Sequence, residues 1–364
     1  MKKGIINLKA ITTFLVVAFS YLRYYDFGSN LFYYKYIDSF FIIFLSLILA
    51  LLGIQILKAK IPKKKLMTFV FLLLLVLFAS LLQRNAHLLI QLLLGLLFLY
   101  EDDREFIKYF FYSHIIMFPT TIFFNVFGLT NASTFIRDTN YKIRYSLGFA
   151  HPNIIFLYFM PIVFSGIYLY GNSKAFKIFM LVLSFLLYIF SDSRTGLIIT
   201  VSFILFSSMN KSKIEQITKK IAPYLLPLTF LVTVVVISCY QNGELKFLNQ
   251  LLSGRLYYVG SYMENNSLLS LTGNYSAGES LIDNFSVFII IEFGIIVYLT
   301  YVYVFYRGLK LIQNKKIVII AIFFILYGLS GKHLFVSGIN FTTVFMFKAM
   351  LSDKKKLNRS EIIV

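Results

Sequence analysis

Long apolar runs separated by short polar segments recur from one end of the chain to the other. A membrane-spanning helix needs about 20 predominantly apolar residues, and these runs approach that length. The pattern predicts an all-α integral membrane protein with about twelve transmembrane helices. The predicted helices cover residues 8–25, 36–57, 66–82, 87–100, 106–127, 153–170, 177–191, 195–210, 222–240, 283–306, 317–330 and 337–351.

The segments between the apolar runs predict how the chain is divided. About twelve helices of about 20 residues leave only short loops and two longer ones, 128–153 and 241–282. The composition agrees, because 59% of the residues are hydrophobic and 14% are charged, whereas soluble domains contain about 25% charged residues. We expect residues 1–364 to form a single polytopic membrane domain without a soluble catalytic domain.

The basic residues predict the orientation of the helices, since Lys and Arg collect in cytoplasmic loops. With the N-terminus inside, 25 of the 35 basic residues lie on the cytoplasmic side and 10 lie outside. Both termini are therefore predicted to be cytoplasmic. The net charge of +19 then reflects topology rather than binding to nucleic acid. No small-residue cleavage site follows the first apolar run, which predicts an uncleaved first helix.

Residues 177–210 can form one long helix or two short ones. One helix would move the four lysines between positions 211 and 220 to the outside, so two helices with a tight turn at 191–196 are favoured. Each arm of about 15 residues spans about 22 Å, less than the hydrocarbon core of about 30 Å. This turn, and a similar one at 330–334, are expected to be recessed. Irregular backbone at membrane depth requires burial or water, which predicts a cavity open to the outside.

Two outward arginines are the leading candidates for binding chemistry. Arg194 lies in the first recessed turn, where inserting an arginine costs about 2.5–3.5 kcal/mol and usually implies a partner or a function. It either pairs with Asp192, reaches the membrane interface, or binds an anion. Arg255 lies in the second long loop. Two guanidinium groups can bind a diphosphate through bidentate hydrogen bonds.

Histidines add further candidates. His151 and Asn153 stand at the start of a predicted helix, and Pro152 suits its first turn, so this motif serves either capping or substrate binding. His333 lies beside Lys332 in the second recessed turn. A histidine there could accept a proton from a hydroxyl near neutral pH, or it could simply be a packed side chain.

Two acidic residues and a third arginine are further candidate site residues. Asp283 and Asn284 could cap the tenth helix. Asp283, or Glu279 before it, could instead hold a sugar hydroxyl or orient a base. Arg144 lies in the first long loop. The sequence has no HExxH, CxxC, P-loop or dinucleotide motif, and its one cysteine, Cys239, is expected to pack. We expect neither a metal nor a cofactor.

Short motifs give the chain a family resemblance. They are Leu147-Gly-Phe-Ala-His-Pro-Asn153, Ser191-Asp-Ser-Arg-Thr-Gly196, Gly254-Arg-Leu256, and Asp283-Asn284 before a helix with Glu292-Phe-Gly294. In this order they resemble bacterial Wzy-type polysaccharide polymerases, within the wider O-antigen ligase and polymerase group. The resemblance extends over nearly the whole chain in helix number and loop placement. The turn with Arg194 is its most specific part.

The resemblance implies a GT-C-like membrane glycosyltransferase at the outer face of the bacterial plasma membrane. Such enzymes join undecaprenyl-diphosphate-linked oligosaccharide repeat units into capsule, exopolysaccharide or O-antigen. Arg194 and Arg255 would hold the lipid diphosphate, and His333 would activate the acceptor hydroxyl, although many polymerases have an acidic residue near that place. The implied substrate-binding residues are Arg144, His151, Asn153, Asp192, Lys332, Glu279 and Asp283. Implied partners are plasma-membrane lipids, a flippase and a chain-length regulator.

Three other functions stay open. One is ligase-like transfer of finished glycan to another acceptor, which product length distinguishes from polymerisation. Another is a flippase for the same lipid-linked units, but a transporter would place charges through both leaflets, often in symmetric halves. Here the unusual polar residues gather on one side. The last is a structural membrane partner without catalysis.

Overall fold

The apolar runs form helices wherever the structure describes them. The computed structural model describes residues 2–25, 63–83, 86–131, 133–136, 142–209, 212–251, 254–265, 270–273, 283–332 and 336–352. These residues contain fourteen helices and one two-stranded hairpin. The elements are α1 (Lys2–Leu22), α2 (Lys63–Gln83), α3 (His87–Leu97), α4 (Asp103–Val126), β1 (Thr134–Ile136), β2 (Ile143–Tyr145), α5 (Pro152–Tyr170), α6 (Lys174–Ser191), α7 (Arg194–Phe206), α8 (Ser212–Gln241), α9 (Lys246–Leu251), α10 (Arg255–Asn265), α11 (Phe285–Phe293), α12 (Ile295–Leu311), α13 (Lys315–Gly328) and α14 (Thr342–Leu351).

The predicted division of residues 177–210 into two helices is confirmed. Helix α6 ends at Ser191, and α7 begins at Arg194. Between them Asp192 adopts a left-handed conformation with φ of 48°, which lets the chain reverse direction. The predicted helix at 36–57 lies outside the described residues.

Two predictions between residues 241 and 306 were wrong. Part of the long loop is helical, and Arg255 begins α10 rather than lying in a loop. The single tenth helix is broken at Gly294, which has φ of +90°, into α11 and α12. At the break, the Ile295 amide donates to the carbonyl of Ser270 at 2.9 Å. A contact from elsewhere in the chain therefore replaces the helical hydrogen bond, although the apolar run itself is continuous.

Among the residues that the structure describes, four helices are long and apolar enough to cross a membrane, at Leu66–Gln83, Pro152–Tyr170, Lys174–Ser191 and Gln216–Gln241. These helices differ in how much of their apolar window is buried inside the protein. In α5, 72% of the apolar window is buried inside the protein, whereas α2 and α6 each bury only 22%. Such exposed apolar faces are covered by lipid in membrane proteins, because lipid tails are as apolar as the side chains. The fold is therefore that of an all-α membrane protein with α5 at its centre.

The central helix is packed closely against α7. Phe156, Phe159 and Phe164 of α5 are fully buried. Gly196 of α7 lies so close to α5 that a Cβ placed on it would be 2.3 Å from Cβ of Phe156. The absence of a side chain at Gly196 thus allows the turn after α6 to reach the core.

The ends of the helices form two separate polar groups. At one end, which we call the lysine end, Lys9 pairs with Glu101, and Lys348 pairs with Asp103 at 2.6 Å. The opposite end holds Arg144, Arg194 and Arg255 and is called the arginine end. In both of these pairs, and in the pair of Arg255 with Asp283, the two partners were predicted to lie on the same side of the membrane.

Candidate functional site

The polar cluster at the arginine end is recessed between helices. Nδ2 of Asn284, at the start of α11, donates to Oγ1 of Thr233 at 3.0 Å and to the carbonyl of Leu329 at 3.2 Å. Helix α8 continues from Thr233 to Gln241, which is about 12 Å at 1.5 Å per residue. The end of α13 therefore lies well below the end of α8. The recess of the turns at 191–196 and 330–334 below the outer membrane surface stays a prediction.

Arg255 connects three elements inside this recess. Its Nη1 donates to Oγ1 of Thr195 on α7 at 3.1 Å. Its Nε lies 3.3 Å from Oδ2 of Asp283, which precedes α11. The Arg255 side chain is 21% exposed, so it is shielded from bulk solvent on most sides but open on one. A guanidinium has five N–H donors, and these two contacts leave others available for a ligand.

Arg194 is adjacent in sequence to Thr195, the residue that Arg255 contacts. It is the first residue of α7 and precedes Thr195, and its side chain is exposed. Within the described part of the chain it makes no hydrogen bond or ion pair. The alternative in which Arg194 pairs with Asp192 is therefore wrong, because the buried Asp192 pairs with Lys142 at 3.5 Å.

The start of α7 combines two sources of positive potential. Ser193, its N-cap residue, makes no side-chain hydrogen bond to the helix. The first amides of a helix carry unsatisfied N–H groups and attract anions. Arg194 precedes Thr195 in sequence and Arg255 contacts Thr195, so this arrangement can bind an anion such as a phosphate or diphosphate.

Arg144 has a different role from the other two arginines. It is buried, its Nε donates to the carbonyl of Ser191 at 2.8 Å, and its Nη2 donates to Oδ1 of Asn153. Arg144 thus ties strand β2 to the end of α6 and the start of α5. These contacts make it a structural support for the turn that carries Arg194. Binding of substrate by Arg144 and Asn153 stays a prediction.

His151 is the N-cap of α5, as one of the two interpretations of the motif predicted. Its Nδ1 accepts from the Asn153 amide at 3.1 Å, and its ring lies 5.0 Å from that of Phe135 between centroids. Burial, together with repulsion from Arg144 and Arg255, lowers the pKa of His151 to about 4. The imidazole is therefore neutral at pH 7, and it lies close enough to Arg144 and Arg255 to be affected by their charges. Substrate binding by His151 stays a prediction.

We expect His151 to make the fold sensitive to acid. Its folded pKa of about 4 lies below the unfolded value of 6.5, so the unfolded chain binds more protons between them. The stability from neutral His151 is complete above about pH 6.5 and is lost as pH falls towards about 4. Thermal unfolding in detergent should show a larger loss for the wild type than for His151→Asn, which retains a good N-cap. Parallel losses in the two proteins would contradict this assignment.

Lys332 contacts α11 from the second turn. Its Nζ lies 5.3 Å from the ring centroid of Phe288, and Glu292 lies one helical turn further along α11. Burial lowers the pKa of Lys332, and the nearby Asp283 and Glu292 raise it. Lys332 and Asp283 are therefore brought into one electrostatic cluster with Arg255.

The predicted site residues and the residues of the observed cluster are not the same set. His333 and Glu279 lie outside the described residues, so the predicted base stays a prediction. Thr195 and Glu292 were quoted only as parts of motifs, yet both belong to the cluster. A buried acid within an apolar helix is a functional signal that could have identified Glu292. Among the described residues, no group of three or more His, Cys, Asp or Glu could hold a metal ion.

Compared with protein-family models, with curated proteins and with solved structures, the chain has no match.

Proposed function

We propose that this chain is a bacterial plasma-membrane glycosyltransferase that polymerises undecaprenyl-diphosphate-linked oligosaccharide repeat units. The proposal includes about twelve spans in a GT-C-like arrangement, cytoplasmic termini, and an arginine end that faces outside. The observation that carries it is the largely shielded Arg255, held by Thr195, next to the exposed Arg194 at the start of α7. Cations with open hydrogen-bonding capacity in such a place favour a phosphate-bearing substrate.

The geometry supports a simple division of roles. In the proposed reaction, an acceptor hydroxyl on one lipid-linked repeat attacks the anomeric carbon of the donor glycan. The bond from that carbon to the donor diphosphate breaks, and the growing chain moves to the acceptor repeat. Arg255 and Arg194 stabilise the negative charge that develops on the departing diphosphate. The hydroxyl proton passes to a base, for which His333 is the sequence candidate.

The supporting residues hold the arginines in place. Asp283 orients Arg255 through its carboxylate, and Thr195 fixes the other side of the guanidinium. Arg144 holds the turn that precedes Arg194. Such preorganisation matters because donors that are already in position need not reorganise as charge develops.

Purified protein with the host's lipid-linked repeat unit provides the test. The account predicts a ladder of glycans in multiples of the repeat, together with released undecaprenyl diphosphate. Retention of single repeats only would contradict polymerisation. Transfer of preformed polymer to a second acceptor, without a ladder, would identify a ligase. Movement of intact repeats across a vesicle bilayer would identify a flippase.

A further inference from the structure

Arg23 follows the last turn of α1 and does not belong to the arginine cluster already described. Lys9, on the same helix, pairs with Glu101 at the lysine end. The 13 steps along α1 from Lys9 to Leu22 rise about 20 Å, whereas the hydrocarbon core of a bilayer is about 30 Å thick. With the lysine end at one membrane boundary, Arg23 therefore lies within the hydrocarbon layer. Ionisable groups at such a depth usually face the protein interior or a water-filled cavity and mark a substrate path.

A buried histidine supports the guanidinium of Arg23. Nη1 of Arg23 lies 3.4 Å from Nε2 of His87, and Nδ1 of His87 lies 3.2 Å from Oγ of Ser337. Because a guanidinium only donates hydrogen bonds, Nε2 accepts from Arg23, and the proton of the neutral imidazole is on Nδ1, where it is donated to Ser337. His87 and Ser337 are 4% and 2% exposed, so the support is part of the packed interior.

This support leaves Arg23 able to bind an anion. Arg23 is exposed, and among the residues that the structure describes no carboxylate pairs with it. The contact with His87 uses one of the five N–H groups of the guanidinium. A neutral imidazole carries no opposite charge, so Arg23 is oriented without being neutralised.

The start of α3 adds positive potential at the same place. This helix begins at His87, and its N-cap residue is Ala86, whose methyl group cannot accept from the first amides. The N-terminus of a helix is the positive end of its dipole. With 11 residues, α3 is about 16 Å long, so its N-terminus lies at membrane depth, as Arg23 does.

The end of α2 connects this place with the arginine cluster. Nε2 of Gln83 donates to the hydroxyl of Tyr301 at 3.4 Å, and the ring of Tyr301 lies 5.4 Å from that of Phe285 between centroids. Phe285 begins α11, and the residue two positions before it pairs with Arg255. Gln83 precedes His87 by four residues, which span at most about 14 Å. Two anion-binding positions therefore lie at the same end of the fold.

We propose that Arg23, supported by His87, binds the phosphate group of the acceptor, the second lipid-linked repeat. This assignment rests on the proposed function, whose reaction needs two lipid diphosphates at once, while Arg255 and Arg194 serve the donor. The acceptor keeps its diphosphate throughout the reaction, and no charge develops on it. Arg23 therefore contributes to binding of the acceptor and not to the chemical step, so its removal raises KM and leaves kcat unchanged.

Native mass spectrometry with undecaprenyl phosphate as the probe counts the bound lipids. The inference predicts two bound molecules on the wild type, and one each on Arg23→Gln and Arg255→Ala. Arg23→Gln is chosen because its amide can still donate to His87 while it carries no charge, and Arg23→Lys, which keeps the charge, should restore the second molecule. Arg307→Ala, which removes an exposed arginine at the lysine end, is the control and should still bind two.

Two bound molecules on Arg23→Gln, or only one on the wild type, would overturn the inference. Phosphatidylglycerol at equal concentration distinguishes the source of the phosphate. If it displaces the Arg23-dependent molecule, the site belongs to a bulk phospholipid, and the assignment to the acceptor fails.

Kinetics test the role in the reaction, with preformed lipid-linked polymer as the donor and the single repeat as the varied acceptor. Arg23→Gln should raise the KM for the single repeat about 10–10²-fold, the usual effect of losing a hydrogen bond to a charged group, at unchanged kcat. A lower kcat at unchanged KM would contradict the assignment. Two Arg23-dependent probe molecules without any polymer would count against the proposed function and not against the second site. Normal polymerisation by Arg23→Gln would count against the second site alone.

Discussion

Replacing Arg255 with alanine is expected to lower the rate of polymer formation by about 10²–10³-fold, the usual loss when one preorganised donor to developing charge is removed. The side chain is 21% exposed and is held between Thr195 and Asp283, so it is already positioned before a ligand binds. Arg255→Lys should retain part of the activity, since it keeps the charge and loses the planar fork. The measurement is the rate of ladder formation with purified protein and lipid-linked repeats.

Two control variants separate loss of chemistry from loss of structure. Arg307→Ala removes an exposed arginine at the lysine end and should leave the rate unchanged. Thr195→Ala removes one contact of Arg255 while keeping its charge, and should cost less than Arg255→Ala, about 10–10²-fold, in line with about 1.5–3 kcal/mol for a hydrogen bond to a charged group. An unchanged rate in Arg255→Ala, at an equal amount of folded protein, would contradict the role of Arg255.

Replacing Gly294 with alanine is expected to lower the free energy of unfolding more than any other substitution proposed for this protein. Its φ of +90° is a conformation that L-residues rarely adopt, and a Cβ there would lie 2.2 Å from the carbonyl oxygen of Leu271. Backbone strain of this kind costs about 1–3 kcal/mol, and forcing a methyl group into a packed site typically adds about 1–3 kcal/mol. The midpoint of thermal unfolding in detergent should therefore fall strongly. Because residues 270–273 dock at this break, protease cleavage near them should also become faster.

Gly243 is the matched control position, because a substitution there carries only the free-energy cost of the backbone conformation. It has a similar φ of +88°, and nothing lies within 4 Å of a Cβ placed on it. Gly243→Ala should therefore show only the conformational cost, about 1–2 kcal/mol. If both variants lose the same stability, the docking of residues 270–273 onto Gly294 contributes nothing, contrary to the account.

Hydropathy and charge bias predicted most of the helices but not the break at Gly294. Spanning helices are long apolar runs, and Lys and Arg bias settled whether residues 177–210 contain one helix or two. The break depends on the Ser270 carbonyl, which bonds the Ile295 amide from a distant part of the chain. The residues on both sides of Gly294 are apolar, so the local pattern does not indicate that contact.

The site was predicted by residue type and only partly by role. Most arginines of this chain are predicted to lie on the outer side, and Arg144, Arg194 and Arg255 were selected among them from the motifs in which they stand. Their roles differ because of partners far along the chain. Arg144 is held by the carbonyl of Ser191, and Arg255 meets Thr195, sixty positions away in sequence. Spacing alone cannot distinguish a structural arginine from one that is open to a ligand.

The central claim is that the arginine end faces the outside of the cell, and cysteine labelling in intact cells tests it most directly. After Cys239→Ser removes the one native cysteine, Ser330→Cys places a thiol in the recess and Ser208→Cys places one at the opposite end. The account predicts that a membrane-impermeant maleimide labels position 330 in intact cells and labels position 208 only after permeabilisation. The reverse pattern would put the arginines in the cytosol and contradict the account.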